Sequence, residues 1–179
     1  MRRILVLGAA ALLAVASGGE AHAAAGRDTT ATTVILVRHA EKNEHKPGGD
    51  SGLDPRGIVR AQELKSALLD AGIAALYASQ FPRARLTAEP LAQALGDTVR
   101  TYDANRNDLL AERIHREHRG QTILVVGHTD SLAEFFAMLT GVKLNEGSAI
   151  AYDRLYVITL RVDGSHTITR LRYGSHSGN

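Results

Sequence analysis

The chain has 179 residues, 22% of them charged and 44% hydrophobic, enough for one apolar core and too much for a disordered segment. It has no cysteine, which excludes a disulfide framework, a thiolate metal site and a cysteine nucleophile. Aromatic residues are 4% and tryptophan is absent, which argues against a base-stacking nucleic-acid platform even though 21 Lys and Arg exceed 19 Asp and Glu.

Residues 1–23 have the order of a secretory signal. Arg2 and Arg3 precede the apolar run Ile4–Val15, and small residues follow around Ala21-His22-Ala23. The run is shorter than the ~20 residues a bilayer-spanning helix needs. Cleavage after Ala23 predicts a periplasmic or secreted protein, close to neutral, with no membrane attachment and no strong electrostatic attraction for nucleic acid. Residues 24–31 are small and polar and read as a flexible leader. The domain is expected over 32–173, with a flexible tail at 174–179.

Val34-Ile35-Leu36-Val37 is a β-branched apolar run, expected as a strand buried on both faces. Glu41 to Ser51 is polar and carries Pro47, Gly48 and Gly49, hence a loop. Asp54-Pro55 gives an N-cap and a proline at the first helical position. Ile58, Ala61, Leu64 or Lys65, Leu68 and Ala71 then recur at helical spacing until Gly72. Ala74 to Ala78 predicts a strand, Pro82 to Ala94 a helix ended by Gly96, and Thr98 to Tyr102 a short strand. Asp108 to His118 predicts a charged helix facing solvent. Ile123-Leu124-Val125-Val126 predicts another buried strand, followed by a helix over Ser131 to Leu139. Leu155 to Val162 and Ser165 to Arg172 read as strands joined by a two-residue turn at Asp163-Gly164. Strands alternating with helices give an α/β three-layer sandwich: a mostly parallel central sheet, helices on both faces and a C-terminal antiparallel hairpin.

One local pattern occurs twice. A buried strand runs into Arg38-His39, and another runs into Gly127-His128. Each histidine falls at the carboxyl end of a parallel strand, where open α/β sheets form their binding crevice. If the strands are neighbours, ~4.8 Å apart, the two imidazoles face one small volume.

Leu36-Val37-Arg38-His39-Ala40-Glu41 resembles the R-H-G/A signature of the histidine phosphatase superfamily, the phosphoglycerate-mutase-like proteins. Leu53-Asp54-Pro55-Arg56-Gly57 is similar to that family's L-T-x-x-G segment, with Asp in place of Thr. The run from Ser79 through Arg83-Ala84 to Thr87-Ala88 resembles its S-x-x-x-R-A-x-x-T-A segment, and Val126-Gly127-His128 its second-histidine motif. The four stand in the family's order over almost the whole expected domain. One departure is His45, six residues after the first histidine, where many members have asparagine.

The resemblance implies phosphoryl transfer without a metal or cofactor, and the residue types suit it. A neutral imidazole is a competent nucleophile near pH 7 that water can later unload, the role expected of His39. Arg38 and Arg83 are expected to grip phosphate oxygens and to depress the pKa of His39. His128 would donate to a phosphate oxygen. Arg85 competes with Arg83: the two lie about 200° apart around the helix, so only one can face the pocket, and the resemblance selects Arg83 and leaves Arg85 to solvent. Glu41 and Asp130 are candidate general acids, Asp130 alternatively a helix cap, and Asp103 or Asp108 remain candidates. His115 and His118 sit at i, i+3 among Glu112, Arg113, Arg116, Glu117 and Arg119, the pattern of a solvated face rather than a metal site.

The expected activity is hydrolysis of a small phosphorylated metabolite through phosphohistidine. The alternatives are a phosphohistidine-protein phosphatase or mutase of the same fold, and a non-catalytic exported phosphate-binding protein. The stretch between Arg83 and His128 leaves little room for a mutase's substrate-capping insertion.

Overall fold

The computed structural model describes residues 31–44, 51–144 and 150–177. The signal segment 1–23, nearly all of the leader and His45 lie outside them. Ten elements follow in order: β1 (Thr32–Arg38), α1 (Pro55–Leu68), β2 (Ile73–Ser79), α2 (Pro82–Leu95), β3 (Val99–Tyr102), α3 (Asn107–Glu117), β4 (Thr122–Gly127), α4 (Thr129–Thr140), β5 (Arg154–Leu160) and β6 (His166–Arg172).

The six strands form one sheet in the order β3-β2-β4-β1-β5-β6. The β3–β2, β2–β4 and β4–β1 pairings are parallel, while β1–β5 and β5–β6 are antiparallel. The central strands carry apolar residues at consecutive positions because both of their faces are covered. Val34 and Leu36 of β1 and Ile123 and Val125 of β4 face α3 and α4, packing with Leu110, Ile114, Phe135 and Phe136. Ile35, Val37, Leu124 and Val126 face the opposite layer, with Leu64 of α1 and Leu91 of α2. The expected three-layer architecture is the observed one.

Two local expectations are corrected. The buried stripe of α1 is Gly57, Arg60, Ala61, Leu64 and Leu68, whereas Ile58 is 57% exposed. Ala61, Leu64 and Leu68 are buried as expected, but the stripe also takes in Arg60, which has a buried carboxylate to meet, and leaves Ile58 in water. The β5–β6 connection is not a two-residue turn either. Gly164 N donates to Arg161 O, and Arg161 N to Ser165 O. Gly164 alone in this turn has positive φ, 82°. A two-residue type I′ turn would need Asp163 at positive φ as well, so the loop takes three residues with glycine in the left-handed position.

The expected flexible tail, 174–179, is held through residues 175–177. Ser175 donates from N and Oγ to Glu63, and its carbonyl accepts from Arg60 Nη1. Ser177 Oγ donates to Asp153, and His176 Nδ1 lies 3.0 Å from the same carboxylate. Asp153 is buried and also accepts from Arg172. Burial pushes its carboxyl up, but the bonds from Arg172, Ser177 and His176 together outweigh this and hold it well below the usual carboxylate range.

The start of α1 is pinned to the strand that enters the site. Asp54 N donates to Glu41 O, and the Asp54 side chain caps the helix by accepting from Gly57 N at 2.8 Å. A side chain at 57 would overlap the Glu41 backbone carbonyl. Gly57→Ala should therefore destabilise the fold by about 1–3 kcal/mol, the usual range for overpacking a rigid backbone contact. Urea unfolding measures it, and an unchanged midpoint would mean the contact is loose in solution.

Candidate active site

Parallel pairing of β1 with β4 opposes Arg38 to Gly127, and His39 N continues the ladder by donating to Gly127 O at 2.9 Å. His39 and His128 therefore leave neighbouring strands at the same level, and their ring centroids are 5.0 Å apart. Only glycine fits at 127, since a Cβ there would stand 2.7 Å from the Tyr102 hydroxyl and 2.9 Å from Leu132. Arg83 enters from the first turn of α2, whose start is fixed by Pro82. That turn is tied to the loop after β1, because Thr87 Oγ1 accepts from Ala40 N and donates to Arg83 O. The structure thus brings Arg38, His39, Arg83 and His128 together.

The hydrogen bonds fix the tautomers. His39 Nδ1 lies 2.7 Å from Ala40 O. A carbonyl only accepts, so Nδ1 carries the proton and Nε2 keeps its lone pair. Arg83 Nη2 approaches His128 Nδ1 at 3.3 Å, and His128 Nε2 lies 2.7 Å from Ser79 Oγ. A guanidinium only donates, so His128 accepts at Nδ1 and gives its Nε2 proton to Ser79. Both imidazoles are held neutral. Burial is the largest cause for His39, with His128, Arg38 and Arg83 adding to it against the Ala40 bond, and its pKa falls from 6.5 to about 3. Burial likewise dominates for His128, which falls to about 4 with help from Arg83 and Arg38, while Asp130 opposes. The sequence predicted the influence of the arginines; burial outranks it.

Arg38 is held rather than loose. Its Nη1 donates to Ile150 O at 2.8 Å and its Nη2 to the Tyr152 hydroxyl at 3.2 Å. Its guanidinium carbon sits 4.0 Å from the Tyr152 ring centre, a cation–π contact. Its buried Nε has no hydrogen-bond partner among the described residues. Arg83 stacks on Phe81 at 4.5 Å, and Phe81 in turn meets His128 edge-on at 5.0 Å. Arg85 is exposed, as the resemblance implied in selecting Arg83 for the pocket.

The candidate acids do not join this cluster. Glu41 is buried and gripped by Arg60 of α1, with Nε 3.0 and 2.9 Å from its two oxygens and Nη2 2.8 Å from Oε1. Its carboxylate braces the loop, with both oxygens engaged by Arg60. Asp130 is exposed in the first turn of α4, and it is not the cap: that position is His128, whose N donates to Ser131 Oγ. Asp108 pairs with Arg106 on the surface, and Asp103 accepts from Asn105 N in a turn. His118 spends both ring nitrogens on Tyr77 and Gln121, and His115 is exposed. No three His, Asp or Glu residues among those described are grouped to hold a metal ion.

Four residues escaped the sequence reading as site components: Ser79, Thr87, Arg60 and Tyr152. Ser79 and Thr87 stood inside a quoted motif without a role. The signal for Arg60 was a charge within one turn of an apolar helical stripe. Nothing local marks Tyr152, which reaches the site from the far end of the chain.

Residues 34–107 match the family model of the histidine phosphatase superfamily (branch 1). No curated protein matches the chain. Solved structures share its fold: a mycobacterial hydrolase (14% identity, 82% of this chain and 100% of that one, TM-score 0.64); the protein histidine phosphatase SixA with tungstate (17%, 78% and 96%, 0.64); and a mycobacterial glucosyl-3-phosphoglycerate phosphatase (14%, 82% and 100%, 0.62).

The neutral state of His39 has a cost in acid. Its folded pKa of about 3 lies below the unfolded 6.5, so between these values the unfolded chain binds a proton that the folded chain refuses. Stability contributed there is complete above pH 6.5 and is lost as pH falls through the window. His39→Gln should lose stability less steeply than wild type between pH 6 and 4, by up to about 1.4 kcal/mol per pH unit. Urea titrations across that range measure both slopes, and equal slopes would mean that His39 protonates as easily folded as unfolded.

Proposed function

We propose that this chain, whose residues 34–107 match the family model of the histidine phosphatase superfamily, is a member of that family and hydrolyses small phosphomonoesters through a phosphoryl group carried on His39. The observation that carries this reading is the state of that imidazole. Its Nδ1 proton is tied to Ala40 O, its pKa is far below neutrality, and its Nε2 lone pair is available beside two guanidiniums and a second histidine. A phosphoryl group needs a positioned nucleophile and cations for its equatorial oxygens, and little else.

In the first half-reaction, His39 Nε2 attacks phosphorus as the ester oxygen leaves. In the second, water attacks the phosphohistidine and the electron pair returns to Nε2. Arg83 would turn its Nη2 from His128 to a phosphate oxygen, and the buried, unpartnered Nε–H of Arg38 suits a second one. Once Arg83 has turned, His128 Nδ1 is released. Nδ1 can then take the proton of a monoanionic ester and donate it back to the same phosphate oxygen as a hydrogen bond, while Nε2–H continues to donate to Ser79 Oγ. These residues supply nucleophile, charge and donors without a metal ion, so turnover is expected to be metal-independent.

Similarity to proteins named as phosphatases supports the activity class. The signal-like order of residues 1–23 supports a phosphorylated metabolite met in the periplasm or outside the cell, rather than nucleic acid or a membrane partner. None of the helices described is long and apolar enough to cross a membrane.

The purified protein should hydrolyse an aryl phosphate in excess EDTA. Dependence on an added divalent ion would move the reaction to metal-assisted hydrolysis. His39→Ala should lower turnover by about 10⁴-fold or more while still binding inorganic phosphate. Arg83→Ala should instead weaken phosphate binding, by on the order of 2–5 kcal/mol. Phosphate binding with no turnover of any ester by the wild type would favour a non-catalytic phosphate-binding protein.

A further inference from the structure

The leaving alcohol needs a proton, and none of the four carboxylates that the sequence offered for this stands ready to give it. Glu41 is locked to Arg60, Asp130 is exposed on α4, and Asp103 and Asp108 are engaged on the surface. Two cavities of about 550 and 380 Å³ open on the far side of Tyr152, and none of Arg38, His39, Arg83 and His128 lines either of them. Glu41, Pro55, Arg56 and Tyr152 border both. Of these four, Tyr152 is the one whose side chain packs on the reacting groups. Its ring is 5.9 Å from that of His39 and 4.0 Å from the Arg38 guanidinium carbon. Arg38 Nη2 donates to its hydroxyl at 3.2 Å. The hydroxyl is thus an acceptor in that bond, and its own proton is directed elsewhere.

Resting on the reading that His39 carries the phosphoryl group, we infer that Tyr152 is the acid for the leaving oxygen, and that the substrates are alkyl phosphates whose alcohol occupies these cavities. As His39 Nε2 bonds to phosphorus, the P–O bond breaks and the departing oxygen takes the Tyr152 proton. The phenolate left behind is met by the Arg38 guanidinium that already donates to it. In the second step water gives one proton to the phenolate, its oxygen bonds to phosphorus, and the P–N bond returns its electrons to His39. Inorganic phosphate and a free alcohol result, and Tyr152 ends as it began. An alkoxide requires this proton; a nitrophenolate leaves without one.

That difference is the test. Tyr152→Phe keeps the ring under Arg38 and removes only the hydroxyl. The variant should lose about 100-fold in kcat/KM on glycerol phosphate, the usual scale for one acid. Its kcat/KM on p-nitrophenyl phosphate should fall at least tenfold less, the shared part of the loss being that of the hydroxyl to which Arg38 donates, and the remaining turnover of this ester shows that the variant is folded. Asp130→Asn should leave the ratio between the two esters unchanged. Equal losses on both esters, no loss on the alkyl ester, or a selective alkyl loss in Asp130→Asn would each overturn the assignment. A failure of the underlying mechanism looks different: His39→Ala would then turn over p-nitrophenyl phosphate at the wild-type rate.

Discussion

The parallel pairing of β1 with β4 is the constraint on which the site depends. Its register sets Arg38 against Gly127, and one further bond, His39 N to Gly127 O, carries the ladder to the residue proposed as nucleophile. Two histidines 89 positions apart in sequence therefore meet with ring centroids 5.0 Å apart. A slip of one residue would send every side chain of β1 to the opposite face. It would put Val34 and Leu36 where Ile35 and Val37 belong, so the two apolar layers that flank the sheet also hold the register of the candidate site. Core and site are specified by the same pairing.

Around this centre the polar interior is built from charged groups that brace rather than react. Glu41 lies two residues beyond His39 and is held by Arg60, which also reaches the carbonyl of Ser175. The C-terminal segment is thereby joined to the loop that follows β1. Asp153 fastens the same segment from the other side, next to Tyr152, which supports Arg38. Buried ion pairs of this kind add little net stability but are expensive to break, about 3–5 kcal/mol when one partner is removed. Their value here is geometric: the chain end, the β1 loop and the Arg38 side of the pocket are connected through two buried carboxylates.

The sheet, its order of strands and helices and the four central site residues were legible in the sequence, for physical reasons. Strands buried on both faces are continuous apolar runs, and Arg38-His39 and Gly127-His128 each interrupt such a run at its carboxyl end. What was not legible depends on contacts across the chain. Helical spacing included Ile58 and missed Arg60: Ala61, Leu64 and Leu68 are buried as expected, but nothing in the spacing shows that the buried carboxylate of Glu41 draws Arg60 inward. Asp163-Gly164 suggested a two-residue turn, but the ladder between β5 and β6 favours a three-residue one with only Gly164 left-handed. The sequence offered Glu41 as an acid by its nearness to His39, and could not show that Arg60 already holds it. The chemistry of His39 was also only half visible. The residue type indicated a nucleophile, but its free nitrogen follows from the Ala40 carbonyl, and its neutrality chiefly from burial.

The account centres on a covalent bond between phosphorus and His39 Nε2, and that bond can be sought directly. Mixing the protein with an aryl phosphate, quenching within milliseconds under alkaline denaturing conditions and mapping the peptides by mass spectrometry should find the phosphoryl group on the peptide containing His39. The adduct should survive base and be lost on mild acid treatment, as expected of a P–N linkage. A turning-over enzyme that shows no phosphoryl group on any histidine, or that carries it on His128 instead, would contradict the account.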